Sequence, residues 1–377
     1  MERGRKPPFF IMDESRVSLI IKGKNYYGWL SVSVSIALES ITRSFSVGLT
    51  SKANEKTNDF NEVRVGDPVV VKIGNTQVLS GFITKVTHDY SSTSHSIKVD
   101  GCSKTIDLVE CMVPNGKPVS YKKQTVSQII RDLAGRYNVA LVEKALKADS
   151  IDFDVSPNET IYEALKKLIK SRNLLLTDDA EGRLVLTEPS LGGRCEDKIQ
   201  QGVNVLKASY SHDGSTLFNQ YVLLGQGANK TSERPVGDNQ LKAISEDSDI
   251  RLRVKTFPQT GDADLASMQN RAVTVLLQSR AKAETLTYTV QGWRQSNGDL
   301  WDVNTIALVN DDKLNIWSAY LISRVDYSLT DKGMTTRIEL SNPDAFLSLS
   351  EATSQAAVKT FDVKKIGAVA PASWTDK

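Results

Sequence analysis

Ser31-Val32-Ser33-Val34-Ser35-Ile36-Ala37-Leu38 alternates small polar and apolar residues with a period of two. Because successive side chains of a strand point to opposite faces, this alternation is typical of a half-buried β-strand. The alternation continues through residues 45–49, and Gly66-Asp67-Pro68 indicates a turn between strands. Residues 16–116 are therefore predicted to form a first antiparallel β-barrel-like domain.

The period changes to that of a helix after Thr125. Thr125 and Gln128 have the spacing of a capping box, and the apolar residues at 126–137 recur every three or four positions. A second helix is predicted from Ser156-Pro157-Asn158-Glu159, with Ser156 as N-cap, Pro157 in the first turn and Glu159 as capping carboxylate. Two apolar runs joined by a polar turn predict a hairpin at 174–186. Residues 117–190 are thus predicted to form a small α+β unit.

Polarity and hydrophobic periodicity divide the rest of the chain into predicted loops, helices, β segments and flexible ends. Gly225 to Asp249 is a polar stretch that predicts a mobile loop, and a third helix is predicted from about Asp264 to Lys282. The remaining segments are a flexible N-terminus (1–15), a linking β segment that contains the loop (191–262), a second β-barrel-like domain (263–348) and a flexible C-terminal tail (349–377).

The first and last β regions resemble each other, which suggests an internal duplication. The matching strings are Phe82-Ile83-Thr84-Lys85-Val86 with Leu321-Ile322-Ser323-Arg324-Val325, Asp89-Tyr90-Ser91 with Asp326-Tyr327-Ser328, Gly66-Asp67-Pro68-Val69 with Gly298-Asp299-Leu300-Trp301, and Phe45-Ser46-Val47 with Tyr288-Thr289-Val290. Chance similarity between short β segments is the alternative. If the duplication is real, three chains in a closed ring would place six similar barrels around one axis.

Composition excludes several classes of function. The formal net charge of the 377 residues is +2, and the basic residues occur as scattered pairs, so we expect no sequence-specific nucleic-acid binding. No apolar run approaches the roughly 18 residues of a spanning helix, and Met1 to Pro8 does not resemble a signal peptide, so stable membrane insertion is not expected. Three cysteines predict no disulfide framework and favour assembly in a reducing cytoplasm.

The sequence contains only weak candidates for catalytic, cofactor and metal sites. His88, His95, Cys102 and Cys111 do not have the compact spacing of structural zinc ligands, and Gly225-Gln226-Gly227 lacks the third glycine of a dinucleotide loop. The aspartate pairs Asp178/Asp179 and Asp311/Asp312 lie in turn-like contexts, where aspartate commonly accepts local backbone hydrogen bonds. We therefore predict no enzyme, no cofactor and no metal.

Tryptophans are the candidate interface residues. Trp29, Trp293, Trp301 and Trp317 lie in or beside the two β regions, where most are expected to belong to the core. Tryptophan is also enriched at subunit interfaces, so Trp29, Trp293 and Trp301 are retained as possible interface anchors.

Several strings, in order, resemble hub proteins of contractile phage tails of the Mu type, and more distantly late-control tail proteins and the hub region of type VI secretion spike proteins. They are Gly28-Trp29-Leu30-Ser31-Val32-Ser33-Val34, Pro157-Asn158-Glu159-Thr160, Gln201-Gly202-Val203-Asn204-Val205-Leu206, Gln220-Tyr221-Val222-Leu223-Leu224-Gly225-Gln226, Val290-Gln291-Gly292-Trp293 and Gly298-Asp299-Leu300-Trp301.

The resemblance implies a structural subunit of the virion, assembled in the host cytoplasm. It implies a homotrimeric ring in the baseplate that connects the six-fold tail tube to the three-fold spike, with the spike protein, tube or tube-adaptor proteins and other baseplate proteins as partners. The α+β unit then resembles the LysM-like insertion of such hubs, which need not bind peptidoglycan. The alternatives are a glycan- or peptidoglycan-binding tail module and a tail-associated hydrolase.

Overall fold

A computed structural model describes residues 15–52, 62–92, 94–114, 119–145, 150–169, 174–226, 240–258 and 265–343. The predicted flexible tail (349–377), residues 1–14 of the predicted flexible N-terminus and residues 227–239 of the predicted mobile loop lie outside these ranges. The chain divides into two compact units. Of the described residues, the main unit contains those within 15–217 and 278–343, and the small unit contains those within 218–277.

Strands dominate the described residues, and almost all of their pairings are antiparallel, which confirms the mainly β prediction. The strands are β1 (Val17–Ile21), β2 (Lys24–Tyr26), β3 (Ser31–Ala37), β4 (Ser44–Lys52), β5 (Pro68–Ile73), β6 (Thr76–Tyr90), β7 (Ser94–Ser103), β8 (Val119–Thr125), β9 (Leu141–Glu143), β10 (Ser150–Val155), β11 (Leu175–Asp178), β12 (Leu184–Thr187), β13 (Ile199–Gln200), β14 (Val205–His212), β15 (Gln220–Gln226), β16 (Gln240–Glu246), β17 (Val254–Pro258), β18 (Glu284–Gln291), β19 (Ile306–Asp311), β20 (Ile316–Thr330) and β21 (Gly333–Ser341). The α-helices are α1 (Ile106–Glu110), α2 (Val126–Gly135), α3 (Ile161–Ile169) and α4 (Leu265–Ala283).

The two β regions share one strand order, which supports the internal duplication. In the first region the hydrogen-bonded order is β3-β4-β7-β6-β5, and in the second it is β14-β18-β21-β20-β19. Every pairing within these two series is antiparallel. Each strand of the first series therefore has a counterpart in the second, and we call the two series copy 1 and copy 2.

A bulge at the same place in both copies strengthens the correspondence. The β6·β7 register shifts between Ile83 and Lys85, and the β20·β21 register shifts between Ile322 and Arg324. Such a bulge places two residues of one strand opposite one of its neighbour and bends the strand. The bulge lies at the same position in the strings Phe82–Val86 and Leu321–Val325, which were matched from the sequence. These two strings are therefore structural counterparts.

The other sequence matches are displaced from the structural correspondence. Gly66 and Asn304, both with positive φ, donate backbone hydrogen bonds to the carbonyls of Ile83 and Ile322, so the counterpart of Gly66 is Asn304 rather than Gly298. Phe45 pairs with Gly101 of β7 as Leu286 pairs with Leu340 of β21. The counterpart of Phe45 is consequently Leu286 rather than Tyr288.

Within the same alignment, Thr87 and Asp326 hold equivalent positions, because Thr87 pairs with Lys98 as Asp326 pairs with Arg337. The predicted match of Asp89 with Asp326 is therefore also displaced, by two residues. A two-residue shift keeps every side chain on its face of the sheet, so alternation alone cannot detect it.

The copies are joined through β3 and β20, which pair antiparallel from Val32↔Leu329 to Ala37↔Arg324. In the described residues this pairing produces one 13-stranded sheet that contains both copies. Val32, Val34 and Ile36 of β3 are buried in a core shared with side chains of copy 2, as the alternation predicts.

The α+β unit has its own hydrophobic cluster, formed mainly by α2, α3 and the β11–β12 hairpin. Thr125 and Gln128 form the predicted capping box at the start of α2. The second helix begins later than predicted: α3 begins at Ile161, and Thr160 and Glu163 exchange the capping hydrogen bonds. The resemblance of this unit to a LysM-like insertion stays a prediction.

The small unit is a three-stranded sheet packed on α4 through Leu223, Ala243, Met268 and Ala272. Its strand order is β16-β15-β17, with β15·β17 parallel. β16 lies within the stretch predicted as a mobile loop, so that prediction is wrong for Gln240–Glu246. The helix predicted near 264–282 is confirmed as α4.

Candidate assembly site

The three candidate interface tryptophans lie in the core of the main unit. Trp29, Trp293 and Trp301 are all buried against side chains of the same chain, so their indoles do not face a partner subunit in this conformation. They are core residues of the chain, and their role as interface anchors stays a prediction. Among the described tryptophans, Trp317 is the one that is exposed, at 54%.

Trp293 is buried with its polar indole N–H hydrogen-bonded. Its indole Nε1 donates to the carbonyls of Ser328 and Thr335, at 3.1 Å each, and its ring packs edge-on against Tyr327. Burial raises the pKa of the Tyr327 hydroxyl, which donates to the carbonyl of Trp301. These contacts join residue 293, just after β18, to β20 and β21 and are structural.

A buried ion pair joins the α+β unit to copy 1. The Arg43 guanidinium donates to Oδ1 of Asp178 at 3.2 Å, to the carbonyl of Asp178 at 2.9 Å and to the carbonyl of Val78 at 3.1 Å. The backbone N–H of Arg43 donates to Oδ2 of Asp178 at 3.1 Å. The side chains are 9% and 1% exposed. Burial raises the pKa of Asp178 to about 6, although the positive charge of Arg43 opposes the rise.

Two further contacts attach the β11–β12 hairpin to β6. The side-chain amide of Gln77 donates to the carbonyl of Ala180 at 2.9 Å. Gly182, with φ of +73°, lies so close to β6 that a Cβ atom at this position would be 2.5 Å from the carbonyl oxygen of Ser80. The hairpin was predicted from the sequence, whereas its attachment to copy 1 was not.

Two of the four aspartates predicted as local acceptors do more than cap a turn. Asp179 accepts from the backbone N–H groups of Glu181 and Arg183, as predicted. Asp178 pairs with distant Arg43, and buried Asp311 accepts from the hydroxyl of Tyr288 at 3.0 Å in addition to nearby N–H groups. Asp312 accepts from the exposed indole of Trp317.

The seam between the copies carries a polar network on its outer face. The hydroxyl of Ser35 donates to Oδ1 of Asp326 at 2.6 Å, and Arg324 donates to both Asp326 and Ser35 at 3.0 Å. Arg337 lies 3.5 Å from the same carboxylate. These contacts span β3, β20 and β21, so they specify the register in which copy 1 meets copy 2.

Two strand edges of the main unit are exposed. Residues 206–212 of β14 are all exposed, whereas its counterpart β3 alternates exposed and buried positions. The end of β6, from Thr84 to Tyr90, is exposed or half-buried. Exposed edges of this kind are places where a further strand can add.

The described residues give no indication of a metal centre or a membrane span. Among them, no three His, Cys, Asp or Glu side chains are grouped to hold a metal ion. No helix within the described ranges is long and apolar enough to cross a bilayer.

Comparison with known proteins gives consistent matches along the chain. Family models match residues 16–103 (Mu phage baseplate assembly protein GpP-like, N-terminal), 105–188 (baseplate hub protein gp44-like, second domain) and 266–349 (Mu phage baseplate assembly protein GpP, fourth domain). The baseplate hub protein gp44 of Escherichia phage Mu is 28% identical, over 88% of this chain and 89% of that protein.

Two crystal structures of tail proteins have the same fold. The 43 kDa tail protein of prophage MuSo2 from Shewanella oneidensis is 25% identical, with a TM-score of 0.78 over 88% of this chain and 99% of that chain. The tail protein from Neisseria meningitidis MC58 is 23% identical, with a TM-score of 0.74 over 88% of this chain and 98% of that chain. The three family matches together cover more than half of the 377 residues and agree with the relative from phage Mu. The chain therefore belongs to the Mu-type baseplate hub family, which is a family of structural phage proteins and not of enzymes.

Proposed function

We propose that this hub protein forms a homotrimeric ring that connects the six-fold tail tube to the three-fold spike of a contractile tail. The observation that carries the proposal is the duplication, in which copy 1 and copy 2 share strand order and bulge position. Three chains would then present six similar sheets toward the tube while keeping three-fold symmetry toward the spike.

Family membership supports the proposed partners. The relative from phage Mu is named a baseplate hub protein, and a hub subunit would contact the spike protein, tube or tube-adaptor proteins and other baseplate proteins. The site of action would be the tail baseplate of the virion, after assembly in the host cytoplasm. Force from sheath contraction would pass through the ring to the spike.

Molar mass measured by light scattering tests the ring. The purified chain is measured over a concentration series, alone and with the spike protein added. We expect a trimer in at least one of these conditions. A monomer at every concentration, with and without spike, would refute the proposed ring and favour a module that acts as a single chain.

A further inference from the structure

The two copies have counterpart strands but different numbers of strand neighbours. In the described residues, β20 pairs with β19, β21 and β3, whereas its counterpart β6 pairs with β5 and β7. Likewise β3 pairs with β4 and β20, whereas its counterpart β14 pairs with β18. Among the described residues, the β3·β20 pairing that joins the copies thus has no equivalent at β14 or at β6, the counterparts of these two strands.

We propose that β14 of one chain pairs antiparallel with the end of β6 in a neighbouring chain, in the register that joins β3 to β20. This inference rests on the proposed ring and names its subunit interface. Copies 1 and 2 would then alternate around the ring through six similar seams, three within chains and three between chains. The partner at each exposed edge is a second copy of this chain. The reason is that β3 and β20, the counterparts of β14 and β6, already pair with each other inside the chain.

Transfer of the internal register identifies the facing residues. Asp326 pairs with Ser35 within the chain. Thr87 is the counterpart of Asp326, and Ser211 is the counterpart of Ser35, because Ser211 pairs with Thr285 as Ser35 pairs with Ser44. Thr87 should therefore lie opposite Ser211 of the partner subunit. One step along each strand, Val86 should lie opposite His212 of the partner subunit.

Differences in burial between counterparts support a missing neighbour. Val34 is fully buried beneath the internal seam, whereas its counterpart Tyr210 is 41% exposed. Val325 of β20 is fully buried, whereas its counterpart Val86 of β6 is half-buried. A strand added at each edge would cover these side chains as β3 and β20 cover one another.

Charges at the two edges are complementary in the same register. Lys85 should lie opposite Asp213 of the partner subunit, because their counterparts Arg324 and Ala37 are paired. Asp89 should lie opposite Ser209 of the partner subunit and diagonal to the partner's Lys207. Directly opposed and diagonal positions across antiparallel strands are close enough for such charges to attract.

Disulfide trapping tests the register. The variant Thr87→Cys/Ser211→Cys should form covalent dimers and trimers under mild oxidation, because directly opposed Cα atoms are about 4.5–5.5 Å apart, within the range of a disulfide. In Thr87→Cys/Ser209→Cys the pair would be diagonal, about 7–8 Å apart, and should link weakly. Ser33→Cys/Ser328→Cys, which spans the internal seam, should oxidise without a change in chain mass.

Control chains separate the possible results. The unaltered chain, with Cys102, Cys111 and Cys195, gives the background of cross-linking, and thermal unfolding shows whether each variant is folded. A trimer by mass in which the diagonal pair links as well as the opposed pair, or neither links, would refute the seam but leave the ring. A monomer in all conditions would refute both.

Charge exchange gives an independent test without oxidation. Asp89→Lys should weaken the trimer, by about fivefold for each seam, since it places two like charges in diagonal contact. The double variant Asp89→Lys/Lys207→Asp should restore assembly. If Asp89→Lys leaves the trimer unchanged, or if the double variant is no better than the single one, the proposed register is wrong.

Discussion

Replacing Asp178 by alanine would remove the carboxylate that neutralises Arg43 beneath the β11–β12 hairpin. The guanidinium would stay buried with two carbonyl acceptors but without a hydrogen-bonded carboxylate, since its other hydrogen bonds are to the carbonyls of Asp178 and Val78 and Asp302 acts on it only through its charge. Loss of one partner of a buried pair costs about 3–5 kcal/mol, because the remaining charge is desolvated without compensation. Domains unfold with about 5–15 kcal/mol in total, so the variant should be strongly destabilised.

Urea unfolding of a short variant series measures this contribution. Asp178→Asn keeps an acceptor oxygen and should cost less than Asp178→Ala. Arg43→Met/Asp178→Leu replaces both charges by apolar groups and should be more stable than either single variant, since a buried pair gains little over good apolar packing. Asp179→Ala, beside it in the same turn, is the matched control for local capping.

The same series has a defined pH dependence. The pKa of Asp178 is raised by burial, so the folded state binds a proton more tightly than the unfolded state. Stability contributed by this group should then increase as the pH falls from above about 6 toward 3.8, because protonation relieves the burial of the charged carboxylate while the acid, unlike alanine, keeps an acceptor oxygen for Arg43. Asp178→Asn should lack this change. If Asp178→Ala stays within about 1 kcal/mol of the unaltered chain, or if the destabilisation of the double variant equals the sum of those of the single variants, Asp178 does not neutralise Arg43 as described.

Three further predictions concern other contacts of the main unit. Gly182→Ala should lower the midpoint of urea unfolding, because a Cβ there meets a backbone carbonyl of β6 at 2.5 Å and the left-handed φ disfavours alanine; Gly135→Ala, in open space within α2, is the matched control. Glu159→Gln should flatten the loss of stability in acid. The pKa of Glu159 is lowered because the contacts of its carboxylate with Lys167 and the N–H of Ser156 outweigh its burial, so its contribution is present above the unfolded value of 4.5 and lost as the pH falls through the folded one. Trp293→Phe should cost about 1–3 kcal/mol in thermal or urea unfolding by removing the indole N–H that donates to the carbonyls of Ser328 and Thr335, whereas Trp317→Phe at an exposed site should change stability by less than about 0.5 kcal/mol.

Local patterns predicted the elements of the fold better than their partners. The alternation at 31–38 specified a strand and its buried face, and both appear in β3. It did not specify β20 as the neighbour, because hydrophobic period selects a face of the sheet and carries no information about which distant strand lies beside it. The duplication was detectable from the sequence. Two of the strand matches were displaced by two residues, which leaves each side chain on the same face of the sheet, so the alternation could not reveal the error.

Candidate site residues were harder to predict, because the same type of residue can serve a local contact or a contact with a distant part of the chain. Asp178 and Asp179 are adjacent aspartates in one polar turn, yet the first forms a buried pair with Arg43 and the second caps the turn. Tryptophan is equally suited to core and interface, and Trp29, Trp293 and Trp301 all belong to the core. Position in the three-dimensional sheet, which single-sequence patterns do not encode, decides between these roles.

The exposed edges also differ in composition from their internal counterparts, in a way that suits assembly from separate chains. β3 can carry Val32, Val34 and Ile36 on its inner face because folding covers them at once. In the proposed ring, β14 would be exposed to solvent until another chain binds, and an apolar edge of that kind would invite unspecific strand addition. Lys207 on β14 and Lys85 on β6 oppose pairing with like-charged edges while favouring the proposed seam. The interface between chains is therefore expected to be more polar and more salt-sensitive than the seam within the chain, because exposed charge pairs are screened whereas buried apolar contacts are not.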